Sequence, residues 1–197
     1  MNGHPLHPRM SSAAAEAARI ARGVRPEHLD GPTPCTDFDT RALVNHWVLY
    51  TSHGLEHRAL RTPLPEDLVA RDFTTDAAWA EDYAAQLDRA VAAWADPAVW
   101  EGEVDLGGTP VPAESIAKML IKEMVLHGWD VARATGTEVE VPDELADLVL
   151  TVVEENAELY RQFGGFADPV PLPVDAPLLD RALAASGRDP YWAPKQV

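Results

Sequence analysis

Cysteine is nearly absent from this chain. Cys35 stands alone among 197 residues, which excludes an internal disulfide framework and fits a reducing compartment. Basic residues are scarce too. With 16 Lys and Arg against 32 Asp and Glu, the formal net charge is −16. That balance argues against nucleic acid and anionic membrane surfaces as partners, because both demand a basic patch. No stretch approaches the roughly 20 apolar residues of a membrane span. The start, Met1-Asn-Gly-His-Pro-Leu-His-Pro, has neither the charged lead nor the apolar block of a secretory signal. A cytoplasmic protein with no nucleic-acid and no membrane partner is the expectation.

What the chain does have is helical periodicity. Its length suits one domain with a substantial core. Residues 1–9 read as a flexible N-terminus with His4 and His7 in solvent. An Ala-rich helix then runs from Ser11 to Gly23. A Pro-rich connection holds Cys35, which reads as structural because no basic residue neighbours it at the start of the next helix. Asp39 or Asp37 caps that helix, Thr40 to Leu60. A third helix over 75–95 carries the stripe Trp79, Tyr83, Leu87, Ala90 and Trp94, read as packing because no basic residues interleave with it. Between Pro97 and Pro112 the period changes to that of a short extended segment or hairpin. A fourth helix ends at Thr135-Gly136, and a fifth starts behind Pro142 with the stripe Leu145, Val149, Val152, Asn156, Leu159 and Phe163. The remainder, 167–197, is a Pro-rich tail with a short helix near 176–185, packed on the body formed by 10–166.

Two stripes carry polar residues where apolar ones belong. On the fourth helix Ile116, Leu120, Glu123, His127, Val131 and Ala134 recur at steps of three and four. On the second, Leu43, His46, Tyr50, His53, His57 and Leu60 do the same, with Leu43, Trp47, Tyr50 and Gly54 as the alternative face. A buried carboxylate or imidazole needs compensation, either from a metal ion or from a private hydrogen-bond network. Residues four apart on a helix lie one above the other, so Glu123 and His127 can converge on one ion. A third ligand from the second helix, His46 or His53, would complete a His2Glu set with positions open for water or substrate.

The runs Thr33-Pro34-Cys35-Thr36 through Leu43-Val44-Asn45-His46, Glu123 to Asp130 with its His-Gly-Trp-Asp ending, Ala132 to Gly136, and Gly187-Arg188-Asp189-Pro190 resemble the DinB-like, mycothiol-dependent maleylpyruvate isomerase N-terminal domain family over roughly residues 10–190. The resemblance implies an all-α fold, a DinB-like four-helix bundle, here with a hairpin insertion and the Pro-rich tail. It implies a divalent metal, zinc first, with nickel, iron or manganese as the other suitable ions. Carried over position by position, the ligands would be His46, Glu123 and His127. Asn45, Asp130 and Asn156 are candidates to support them, and Tyr50, His53, His57 and Trp129 to line the pocket.

Characterised relatives use the metal to activate a low-molecular-weight thiol such as mycothiol. The implied function is therefore a thiol-dependent transferase or isomerase acting on a small-molecule substrate, with a homodimer compatible with such a domain. In a chain of 197 residues, the separate C-terminal domain of maleylpyruvate isomerase is not expected alongside this one. Two other readings stay open: a non-catalytic metal-binding or stress-related module, and a metal-dependent hydrolase using bound hydroxide.

Overall fold

The computed structural model describes residues 3–194, and the protein is mostly helical with one two-stranded hairpin. Residues 1, 2 and 195–197, the outer ends of the expected flexible N-terminus and tail, lie outside the described residues. Helix α1 spans His7–Arg22, earlier than the periodicity predicts. Pro8 occupies its first turn, where a missing N–H costs nothing. Leu6 and Met10 are buried, His4 stacks on Trp100 at 3.9 Å, and His7 Nε2 meets the Val91 carbonyl at 3.0 Å. Neither histidine is merely solvated, and residues 4–9 are held by packing.

Helix α2 (Thr40–Val48) begins where Asp39 accepts a hydrogen bond from the Ala42 N–H at 2.8 Å. It passes without a break through a π-helical segment, Leu49–Gly54, into α3 (Leu55–Ala59). Inside that wide turn the Thr51 and Ser52 hydroxyls donate back to the Trp47 and Val48 carbonyls, each at 2.6 Å. The short α4 (Glu66–Val69) precedes α5 (Trp79–Ala93), and all five residues of the α5 stripe are buried. Strands β1 (Glu103–Leu106) and β2 (Thr109–Pro112) pair antiparallel about Gly107 and Gly108, whose φ values of 62° and 92° suit a tight hairpin turn.

The long α6 (Ala113–Thr135) is closed by Gly136 at φ 73°. Helices α7 (Asp143–Gln162) and α8 (Leu178–Ala185) follow. Helix α1 packs on α5 and α6, α2 on α6, α6 on α7, and α7 on α8. No helix among the described residues is long and apolar enough to cross a membrane.

One contact sets the spacing of α2 and α6. The buried Trp47 donates its indole N–H to the Met124 carbonyl at 3.1 Å, and its ring lies over Gly128. A Cβ at Gly128 would sit 3.3 Å from that ring. The missing side chain therefore lets α2 approach α6 closely, one residue beyond His127 on α6 and one beyond His46 on α2.

The π segment also corrects the second polar stripe. It shifts the helical phase between residues 46 and 53, so the three histidines do not share one face. The buried face is Leu43, Val44, Trp47, Val48, Thr51, Ser52 and Leu55, closer to the alternative stripe.

Candidate metal centre

On α6 the i,i+4 geometry stacks Glu123 over His127, and the close approach of α2 brings His46 to the same point. Glu123 Oε2 lies 3.1 Å from His127 Nε2 and 3.8 Å from His46 Nε2. One donor atom from each of the three side chains falls within 4.8 Å of the others. Ligand bonds of 2.0–2.2 Å at roughly 90–110° place neighbouring donors about 2.9–3.5 Å apart. Both separations from Glu123 lie within that range or a few tenths of an ångström outside it, and the group fits a divalent ion once the imidazoles close on it. Phe38 shields it, its ring 5.2 Å from that of His46 and 6.4 Å from that of His127.

Behind His127 the polar chain continues. Its Nδ1 lies 3.0 Å from Oδ2 of Asp130, which has no exposed surface. Arg188, from the segment after α8, meets that carboxylate with two parallel bonds, Nε to Oδ1 at 2.8 Å and Nη2 to Oδ2 at 2.7 Å. Its Nη1 donates to Ser186 Oγ at 3.0 Å. An ionised Asp130 accepts only, so His127 Nδ1 carries a proton and Nε2 faces Glu123. A metal-ligating histidine is ordinarily oriented by a carboxylate in this way.

The charges reinforce one another. Burial alone would raise the Asp130 carboxyl, but Arg188 and then His127 hold it below the ordinary range. Burial would likewise raise Glu123; the Lys122 ammonium, with the His127 imidazole at 3.1 Å and the His46 imidazole nearby, keeps it well below. For His127, burial acts downward and the hydrogen bonds it donates to Asp130 and Glu123 outweigh it, so its pKa rises. The imidazole bridges two carboxylates, a place that a proton or a metal ion can fill.

These groups open on a cavity of about 400 Å³. Its other walls are the loop 34–38, residues 160–167 at the end of α7, and Ser186 to Arg188. Cys35 sits here, its sulfur within 4.8 Å of a His127 ring nitrogen and an Asp130 oxygen. Burial, and then Asp130, push its thiol pKa up, which keeps it protonated and agrees with a structural role.

The other candidates fall in different places. Tyr50 packs against the His46 ring at 4.8 Å but is partly in solvent. Asn45 donates to Asp72 at 2.9 Å and accepts from the Phe73 N–H at 2.7 Å, fastening the 72–75 turn rather than the site. His53 stacks on Phe73 in a separate hollow lined by Arg71 and Arg89. His57 pairs with Thr62. Trp129 lies on the opposite side of α6, next to Arg133. Asn156 donates to the Val152 carbonyl within its own helix at 2.8 Å. Sequence reasoning missed Lys122, Tyr160 and Phe166 at the cavity, and gave Arg188 no role although it named the motif that contains it.

The sequence model described as the mycothiol maleylpyruvate isomerase N-terminal domain matches residues 10–132. That span contains His46, Glu123, His127 and Asp130; Tyr160, Phe166 and Arg188 lie beyond it. Two uncharacterized proteins of Mycobacterium tuberculosis, from strains CDC 1551 / Oshkosh and ATCC 25618 / H37Rv, are each 30% identical over 195 residues. Each alignment covers 93% of this chain and 97% of the relative. No solved structure matches.

Proposed function

Because the chain belongs to the mycothiol maleylpyruvate isomerase N-terminal domain family, we propose that it is a DinB-like metal-dependent protein acting on a small thiol, as an S-transferase or isomerase. In this reading α1, α2, α5 and α6 form the four-helix bundle. The observation that carries it is the convergence of His46, Glu123 and His127 on one point at the wall of a cavity. The chain's own residues do the rest. Asp130 and Arg188 fix the tautomer and direction of His127, Phe38 packs beside the two imidazoles, and the segment 160–167 bounds the space in which a substrate would sit. A divalent ion, zinc first, would supply Lewis acidity that lowers the pKa of a thiol brought to it. The size of the cavity falls at the small end of the range for ligand sites, about 300–1,000 Å³.

Elemental analysis of protein purified without a histidine tag tests the metal. About one equivalent of zinc or a neighbouring divalent metal is expected, and under about a tenth, with no uptake on titration, refutes the reading. His46→Ala should abolish uptake and leave the far-ultraviolet circular dichroism of the helices unchanged. A panel of electrophiles assayed with and without thiol then tests the reaction class.

A further inference from the structure

Lys122 is the residue whose position the metal-site reading leaves unexplained. Neighbouring residues on a helix point about 100° apart and do not ordinarily meet. Lys122 nevertheless bends round α6, with only 1% of its surface exposed, and its Nζ pairs with Oε1 of Glu123. Two rings, one in the last turn of α7 and one just beyond it, hold the ammonium there. It lies 4.1 Å from the centroid of Tyr160 and 5.3 Å from that of Phe166, and the rings stack on each other at 4.6 Å. The two oxygens of Glu123 are thereby divided: Oε1 belongs to Lys122, while Oε2 faces His127 and His46.

The geometry points to Lys122 as a positioning residue that sets how strongly the metal centre attracts a thiolate, acting through Glu123. This rests on the metal reading above. A carboxylate whose charge is already shared with an ammonium donates less to an ion on its other oxygen. The ion is bound less tightly and keeps more of its own charge for an incoming anion. The pairing also occupies the oxygen that Glu123 would need to bind an ion with both. Removing the ammonium therefore moves two affinities in opposite directions, tighter for metal and weaker for thiolate. Simple damage to the site would weaken both.

The test compares wild type with Lys122→Met, whose unbranched side chain can stay against the rings, and with Lys122→Arg, which keeps the charge. Zinc affinity is measured by competition with a chromophoric chelator. Thiolate affinity is measured with 2-mercaptoethanol on the cobalt-loaded protein, from the sulfur-to-cobalt charge-transfer band; the thiol proton passes to buffer as sulfur coordinates. Lys122→Met should bind zinc about tenfold more tightly and thiolate about tenfold more weakly, the scale of one unit charge acting across a carboxylate. Lys122→Arg should return both toward wild type. If Lys122→Met does not fold, Lys122→Gln, an uncharged amide donor, carries the same comparison. Wild type that takes up no metal overturns the metal reading and this role with it. Wild type that loads normally, while the neutral variant leaves both constants unchanged or weakens both, overturns the role of Lys122 alone.

Discussion

Replacing Arg188 with methionine tests whether the tail is integral to the site. The side chain makes two charge-assisted bonds to Asp130, and both partners are buried, at 8% and 0% exposure. Methionine has a similar reach but no charge. It would leave Asp130 facing only His127, inside a protein interior that disfavours an unpaired carboxylate. Ser186 does not add to the damage, because its hydroxyl still donates to the Leu183 carbonyl at 2.7 Å. Breaking one side of a buried ion pair costs about 3–5 kcal/mol, a large part of the 5–15 kcal/mol typical of a domain. Urea denaturation should show that loss in the metal-free protein. Adding Asp130→Asn should recover part of it, since a buried amide is far less costly than a buried lone carboxylate. A loss below about 1 kcal/mol, the size of an exposed pair, or strict additivity in the double variant, would show that Arg188 is not the counter-ion of Asp130 in solution.

Two further outcomes follow from the same geometry. His127 has a raised folded pKa in the metal-free protein, chiefly from its bonds to Asp130 and Glu123 acting against burial. The stability it contributes is fully present below the unfolded value of about 6.5 and is lost as pH rises through the folded one. Melting temperature with chelator present should therefore fall above that pH. Zinc should reverse the slope, because it requires the deprotonated nitrogen, and a metal-free profile that is flat or rising there would contradict the bridging imidazole. Gly187→Ala places a Cβ 2.7 Å from that of Ala167 at φ 85°. It should cost more than about 2 kcal/mol by denaturation, whereas Gly108→Ala, at φ 92° with open space around it, should cost only the conformational penalty of about 1 kcal/mol; equal losses would refute the close approach.

How much of this was legible in the sequence depends on distance along the chain. The Asp39 cap, the Gly136 stop and the hairpin at Gly107-Gly108 are local signals, and each sits where spacing and composition put it. Glu123 and His127 were readable because an i,i+4 pair is local too. His53 and His57 were misread because a regular 3.6 period was extended across Leu49–Gly54, where the helix widens. The hydroxyls at 51 and 52 bond back to the preceding turn inside that widening, and such bonds are too common in ordinary helices to signal it.

The counter-charges were invisible for another reason. Arg188 reaches Asp130 across 58 residues, and Lys122 meets its neighbour only because rings on α7 and in the bend after it draw it there. No periodicity records either event. Composition does contain a clue. In a chain with 16 Lys and Arg against 32 Asp and Glu, every cation has many carboxylates to serve at the surface. Burying one carries a desolvation cost that a surface pair avoids. Among the described residues Lys122 and Arg188 are the only buried Lys or Arg, and both line the same cavity. Each neutralises one of the two carboxylates that His127 bridges. With those carboxylates already balanced, a divalent ion taken up at His46, Glu123 and His127 would bring charge that the protein does not cancel, and that excess is what an anionic nucleophile such as a thiolate would meet.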